Sequence, residues 1–175
     1  MELEKESKIG IDKHSGANAA VVKAYYGVPI LQRSLLWDGN GEDDNYGVGF
    51  TGFRFVNDGV MIGMGLGAGV WMENNHDVYA GEFETILRYY PGIDSHIFFD
   101  FGGGWVQGTD PVPSGGTDWN MSFQLGTGVE VPVTEGGSVL IGATYHHISN
   151  ALGHENARNP SQNDMRLWVG YAFTF

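Results

Sequence analysis

From Val60 to Met72 the chain alternates without interruption for thirteen residues. Val60, Ile62, Met64, Leu66, Ala68, Val70 and Met72 fall on one face, while Met61, Gly63, Gly65, Gly67, Gly69 and Trp71 fall on the other. Period 2 sustained over this length is a strand pattern, and it excludes a helix. One face is wholly apolar and the other has almost no side chain. That combination suits the wall of a narrow barrel, apolar on the outside and crowded within.

The pattern recurs along the chain. In 119–131, Trp119, Met121, Phe123, Leu125, Val129 and Val131 oppose Asn120, Ser122, Gln124, Gly126, Gly128 and Glu130. Phe83, Leu87 and Tyr89 alternate with Glu82, Glu84 and Arg88. Ile97, Phe99, Phe101 and Trp105 oppose His96, Asp100, Gly102 and Gly104. At the end, Met165, Leu167, Val169, Tyr171, Phe173 and Phe175 oppose Arg166, Trp168 and Thr174. A soluble sandwich would bury its apolar set. A lipocalin-like soluble barrel would turn Val60, Ile62 and Leu66 inward. The opposing set mixes charges and amides with glycine, which fits a barrel filled by hydrogen-bonded polar groups. Glu82, Glu84, Arg88, His96, Asp100 and Arg166 are accordingly expected to form an internal salt-bridge network, not an open channel.

Strands are predicted near 17–27, 46–57, 59–73, 77–91, 94–108, 117–131, 137–149 and 164–175. Asn57-Asp58-Gly59, Pro91-Gly92-Ile93 and Thr134-Glu135-Gly136-Gly137 are tight-turn sequences. The connections at 28–45, 109–116 and 150–163 are long, and Glu73 to Asp77 is shorter. Alternating short turns and long loops are the mark of an outer-membrane barrel. The expected fold is therefore all-β, an eight-stranded antiparallel transmembrane β-barrel of outer-membrane type, with both termini on the periplasmic side. It forms a single domain over 17–175, preceded by a charged, aperiodic segment at 1–16 that reads as a periplasmic tail or small plug. Pro29 to Trp37 is apolar enough to extend a strand or cover the rim. The start lacks an apolar signal core, so an exported form is expected to have had its signal removed.

Composition agrees. Glycine accounts for 28 of 175 residues, more than twice the usual share of about 7%. No run reaches 18 apolar residues, which excludes a transmembrane helix but not a spanning strand. With no cysteine there is neither a disulfide framework nor a cysteine-bound zinc. A net charge of −12 argues against nucleic acid as a partner. Gly65-Leu66-Gly67-Ala68-Gly69 lies within a strand with no helix after it, so it is packing and not a dinucleotide loop.

On the seventh predicted strand His147 and Ser149 share the outward face, with side-chain origins about 7 Å apart, at the end next to the last long loop. A His-x-Ser pair alone is a weak signal. The surrounding run Tyr145-His146-His147-Ile148-Ser149-Asn150-Ala151, followed by Asn159-Pro160, Asn163 and a strand ending at Phe175, resembles the lipid A 3-O-deacylase (PagL) family of outer-membrane acyl hydrolases. The likeness is densest over 139–175, extends back to about residue 46, and includes Leu87-Arg88-Tyr89-Tyr90. It implies an eight-stranded barrel that removes an ester-linked acyl chain from lipid A, or lipopolysaccharide, at a site facing the outer leaflet. No metal or other cofactor is implied. His147 matches the general base and Ser149 the nucleophile. Where characterised members carry an acidic third residue, the matching position here is Asn163, which shares the outward parity of Met165 and Leu167. Glu155 in the last loop and Asp164, of inward parity, are the alternatives. The family's Asn-Ala-Gly becomes Asn150-Ala151-Leu152-Gly153, with Asn150 as the candidate oxyanion donor. The competing reading is a non-catalytic outer-membrane barrel, structural, adhesive or an inactive homologue.

Overall fold

The computed structural model describes residues 9–30, 39–74, 76–150 and 161–175. Eight antiparallel strands close into one barrel: β1 (Asn18–Pro29), β2 (Asp44–Asn57), β3 (Val60–Met72), β4 (Asp77–Tyr89), β5 (Ile97–Val112), β6 (Thr117–Thr134), β7 (Gly137–Ser149) and β8 (Gln162–Thr174). Each strand pairs with the next in sequence. The ring is sealed by β1 against β8, in register from Ala19↔Thr174 to Pro29↔Asp164. Closure leaves no sheet edge, so every strand can satisfy its backbone hydrogen bonds inside an apolar solvent.

The outward residues settle which face meets what. Leu66 is 69% exposed, Ile62 49% and Leu167 62%, whereas Met61 and Trp71 on the opposite parity are fully buried. The apolar set is thus the outer wall, as expected for a membrane barrel, and a soluble lipid-binding barrel is excluded. The inner wall needs space for large rings, and glycine supplies it. A Cβ on Gly142 would collide with the Trp168 indole, and one on Gly128 with the Phe98 ring.

The lumen is filled in layers. Near the short turns, Ile11, Phe53, Phe55, Met61, Tyr90, Phe98, Leu140 and Trp168 form an apolar cluster. Near the loops, Trp71, Val78, Ala80, Val106, Val112 and Ile148 form a second. Polar groups lie alongside and between. Arg88 donates twice to Asp100, at 2.7 and 2.8 Å. Arg166 donates twice to Glu82, at 3.0 and 2.8 Å. Lys23 pairs with Glu84 at 2.9 Å, and Thr51 and Gln124 also donate to that carboxylate. Each charge therefore has a partner in the low-dielectric interior, where an unpaired one would be costly.

His96 departs from the expected lumen set. It precedes β5 and is exposed, because residues 90–96 make a longer connection than the predicted Pro91–Ile93 turn. Within it Ser95 N–H donates to the Gly92 carbonyl, and the Ser95 hydroxyl pairs with the Ile97 backbone. Conversely, the expected loop at 109–116 shrinks to 113–116. β5 and β6 continue as a hairpin beyond an irregularity between Gln107 and Val112, held by Asn120 Nδ2 donating to the Val112 carbonyl. Elsewhere the turns are tight, with Gly59 and Gly136 at φ of 72° and 70°, in the left-handed region that favours glycine.

Residues 9–17 run across the turn end of the barrel. Gly10 N–H donates to the Thr134 carbonyl and Gly16 N–H to that of Phe55, while Gly59 N–H donates to the Lys13 carbonyl. The Lys13 ammonium, buried, meets Ser95 O at 2.8 Å and Glu130 at 3.0 Å. Residues 1–8 and the expected rim segment from 31 to 37 lie outside the described residues.

Candidate functional site

The last two strands carry the site, and their register decides which side chains meet. His147 pairs with Asn163, His146 with Asp164 and Tyr145 with Met165. Because successive residues alternate faces, His147 and Asn163 share the outer wall while His146 and Asp164 point into the lumen. On the outer wall His147 Nδ1 lies 2.8 Å from Asn163 Oδ1. The same oxygen accepts a hydrogen bond from the Tyr145 hydroxyl at 2.6 Å. An amide oxygen only accepts, so Nδ1 carries the proton and the lone pair resides on Nε2. That is the tautomer a general base requires.

Although His147 and Asn163 have outward parity, they are only 5% and 1% exposed. The chain leaving β1 contributes to this cover. Ile30 N–H donates to the Asn163 carbonyl and Gly41 N–H to that of Ser161. Gly39 lies so close to Asn163 that an added Cβ would sit 2.9 Å from its backbone nitrogen and 3.0 Å from its side-chain nitrogen. On the other flank, β6 places Phe123 beside His147 and Met121 beside Ser149. Ser149 is half-buried at the end of β7, and Asn150 beyond it is buried.

Asp164 does not belong to this cluster. It faces the lumen, 3.4 Å from His146 Nδ1, and accepts a hydrogen bond from Gln162 Nε2 at 2.5 Å. Parity excludes it as a partner of His147 on the opposite face. Glu155, the other alternative, lies outside the described residues, as do Ala151, Leu152, Gly153, Asn159 and Pro160.

Two residues matter here that sequence reasoning gave no role. Tyr145 was visible only as part of the motif. Gln162, fully buried, ties the strand end to the first loop by donating to Asp43 O at 2.6 Å and accepting from Asp43 N–H at 3.1 Å. The Asp43 carboxyl is raised above the ordinary carboxylate range by burial, against the opposing hydrogen bond from Ser114 N–H. Amides and tyrosines are common in strands, so only the register reveals these contacts.

No protein-family model matches the chain, and no curated protein does. Solved structures do resemble it. Neisserial surface protein A is 14% identical with a TM-score of 0.62, over 92% of this chain and 100% of that one. The outer membrane enzyme PagL is 16% identical with a TM-score of 0.56, over 87% of this chain and 98% of that one. The outer membrane protein OprG from Pseudomonas aeruginosa is 14% identical with a TM-score of 0.51, over 94% of this chain and 99% of that one. At such identities the likeness concerns architecture. Together with the exposed apolar wall, it makes this chain an eight-stranded transmembrane β-barrel of outer-membrane type.

Proposed function

We propose that this barrel is an outer-membrane esterase that removes an ester-linked 3-hydroxyacyl chain from lipid A, with its loop end and active site facing the outer leaflet. The observation that carries the reading is the 2.8 Å contact of His147 with Asn163 on the outer wall, two residues before Ser149. A wall site suits a substrate already dissolved in the surrounding leaflet. In this reading Ser149 Oγ attacks the ester carbonyl carbon while its proton passes to His147 Nε2. The tetrahedral intermediate collapses, the sugar oxygen leaves and takes the proton from His147, and an acyl-serine remains. Water, deprotonated by His147, then releases the acid and restores Ser149. Asn163 holds the imidazole, and Asn150 is assigned to the oxyanion. Residues 9–16, which cross the turn end of the barrel, lie on the periplasmic side in this reading. Neither metal nor cofactor enters this chemistry.

A second reading, a non-catalytic outer-membrane barrel, is favoured by one observation. The position matched to the family's acidic third residue is Asn163, and an amide stabilises an imidazolium less than a carboxylate does. Mass spectrometry of lipid A incubated with the folded, detergent-solubilised protein separates the two. Loss of one 3-hydroxyacyl chain with the native sequence, and not with Ser149→Ala, is the expected result. Unchanged lipid A with both proteins overturns the enzymatic reading.

A further inference from the structure

Asparagine in place of a carboxylate creates a difficulty that the structure answers. The two oxygens of a carboxylate are equivalent acceptors, so either one presented to His147 Nδ1 enforces the same tautomer. A carboxamide has two unlike ends. With the oxygen toward His147, Nδ1 holds the proton and Nε2 is basic. With the NH2 toward it, Nδ1 must accept, the proton moves to Nε2, and the imidazole has no lone pair to offer a serine. Rotation of the Asn163 amide by half a turn would therefore switch the candidate site off.

The second donor on the same atom is Tyr145. It precedes His147 by two residues on β7, so its side chain shares the outer wall, and its hydroxyl is 2.6 Å from Asn163 Oδ1. That oxygen receives both the Tyr145 O–H and the His147 Nδ1–H at 2.8 Å. The strand pairing explains the reach. Tyr145 stands opposite Met165 and His147 opposite Asn163, so the tyrosine crosses diagonally to its neighbour's partner, a distance that long aromatic side chains span. On the nitrogen side, Gly39 lies close to Asn163 Nδ2. A tyrosine at a membrane rim ordinarily needs no explanation beyond its amphipathic ring. Here, however, its hydroxyl donates to the one acceptor that sets the protonation of the candidate base, and a phenol, a better donor than acceptor, favours that oxygen over the amide NH2.

We propose that Tyr145 is a positioning residue that fixes the Asn163 amide with its oxygen toward His147 and thereby selects the basic-Nε2 tautomer. Its consequence for turnover rests on the esterase reading, whereas its consequence for the tautomer does not. The test combines spectroscopy with turnover. In protein labelled with 15N-histidine and folded in detergent, two-bond proton–nitrogen correlations distinguish Nδ1–H from Nε2–H imidazole. The native His147 is expected to be the Nδ1–H form. Tyr145→Phe is expected to shift a large share to Nε2–H while the signals of the other five histidines, out of six, stay in place, which checks the fold. A neutral hydrogen bond is typically worth a factor of about ten in an equilibrium. If that factor sets the native preference, the active share falls from about nine-tenths to about one-half, so deacylation by Tyr145→Phe should fall about twofold in kcat with KM little changed. In an Asn163→Asp background the same change should leave kcat essentially unchanged, since a carboxylate needs no orienting donor. An unchanged His147 tautomer in Tyr145→Phe overturns the proposal, as does an equal loss of turnover in both backgrounds. If the native protein leaves lipid A intact, the esterase reading fails and the tautomer measurement alone decides the role of Tyr145.

Discussion

Replacing Asp100 by alanine removes both acceptors that face the Arg88 guanidinium, at 2.7 and 2.8 Å, from a site where Arg88 is 2% and Asp100 7% exposed. The cation cannot reach water from there, for it is stacked 3.9 Å above the Phe98 ring and lies 5.7 Å from that of Trp168. Breaking a buried pair by removing one partner costs about 3–5 kcal/mol, because the other charge is left uncompensated. The ring contacts survive the substitution and keep part of their attraction, about 0.5–2 kcal/mol at such sites. The loss should therefore fall near the lower end, about 3 kcal/mol. Reversible urea unfolding of the barrel in lipid vesicles measures it. Arg54→Ala serves as the control, since its 3.2 Å bond to Asn18 is exposed and a surface change of this kind is expected within about 0.5 kcal/mol. A loss below about 1 kcal/mol for Asp100→Ala, with an unchanged denaturant slope, would refute the view that a dry ion-paired lumen holds this barrel together.

Packing and pH give two further expectations. Gly142→Ala drives a methyl into the Trp168 ring, which cannot retreat because its Nε1 donates to Thr144 at 3.0 Å and its face packs on Phe98 at 5.8 Å. Overpacking of this kind should cost about 1–3 kcal/mol in the same urea assay, whereas Gly81→Ala, with nothing within 4 Å of the added carbon, should be close to neutral. At the loop end, burial raises the folded-state Asp43 carboxyl above its ordinary value of 3.8. The folded protein then binds this proton more tightly than the unfolded one. Its contribution to stability is thus fully present below 3.8 and is lost as pH rises through the folded value. Asp43→Asn should flatten that slope, and urea midpoints measured from pH 4 upward that fall equally steeply in both proteins would contradict it.

How much of this was legible beforehand depends on whether a feature is local or set by register. The β3 alternation needed only thirteen adjacent residues, so its inner and outer faces read directly from sequence. The shared face of His147 and Ser149 followed from the same parity. His96 misled because its parity continued that of Asp100, although the Gly92–Ser95 turn had already taken it out of the strand. The extension of β5 through Thr109, Asp110 and Pro111 was hidden because those residues carry no apolar period and depend on an irregular pairing with β6. The cover over Asn163 was equally invisible, since Ile30 and Gly39 reach it from far away in sequence. Tyr145 meeting Asn163 depends on a diagonal across β7 and β8, and the twelve residues from 150 to 161 that join those strands do not determine that diagonal by composition.

The stretch from Gly10 to Gly16 has its own consequence for assembly. Its backbone partners, Thr134, Gly59 and Phe55, together with the Ser95 and Glu130 contacts of Lys13, belong to three different hairpins. No single hairpin offers more than a fraction of them, so the full set exists only after the hairpins stand side by side in their final order. The segment therefore behaves as a clasp that fastens on a finished ring, and its fastening adds cooperativity between strands that never touch one another.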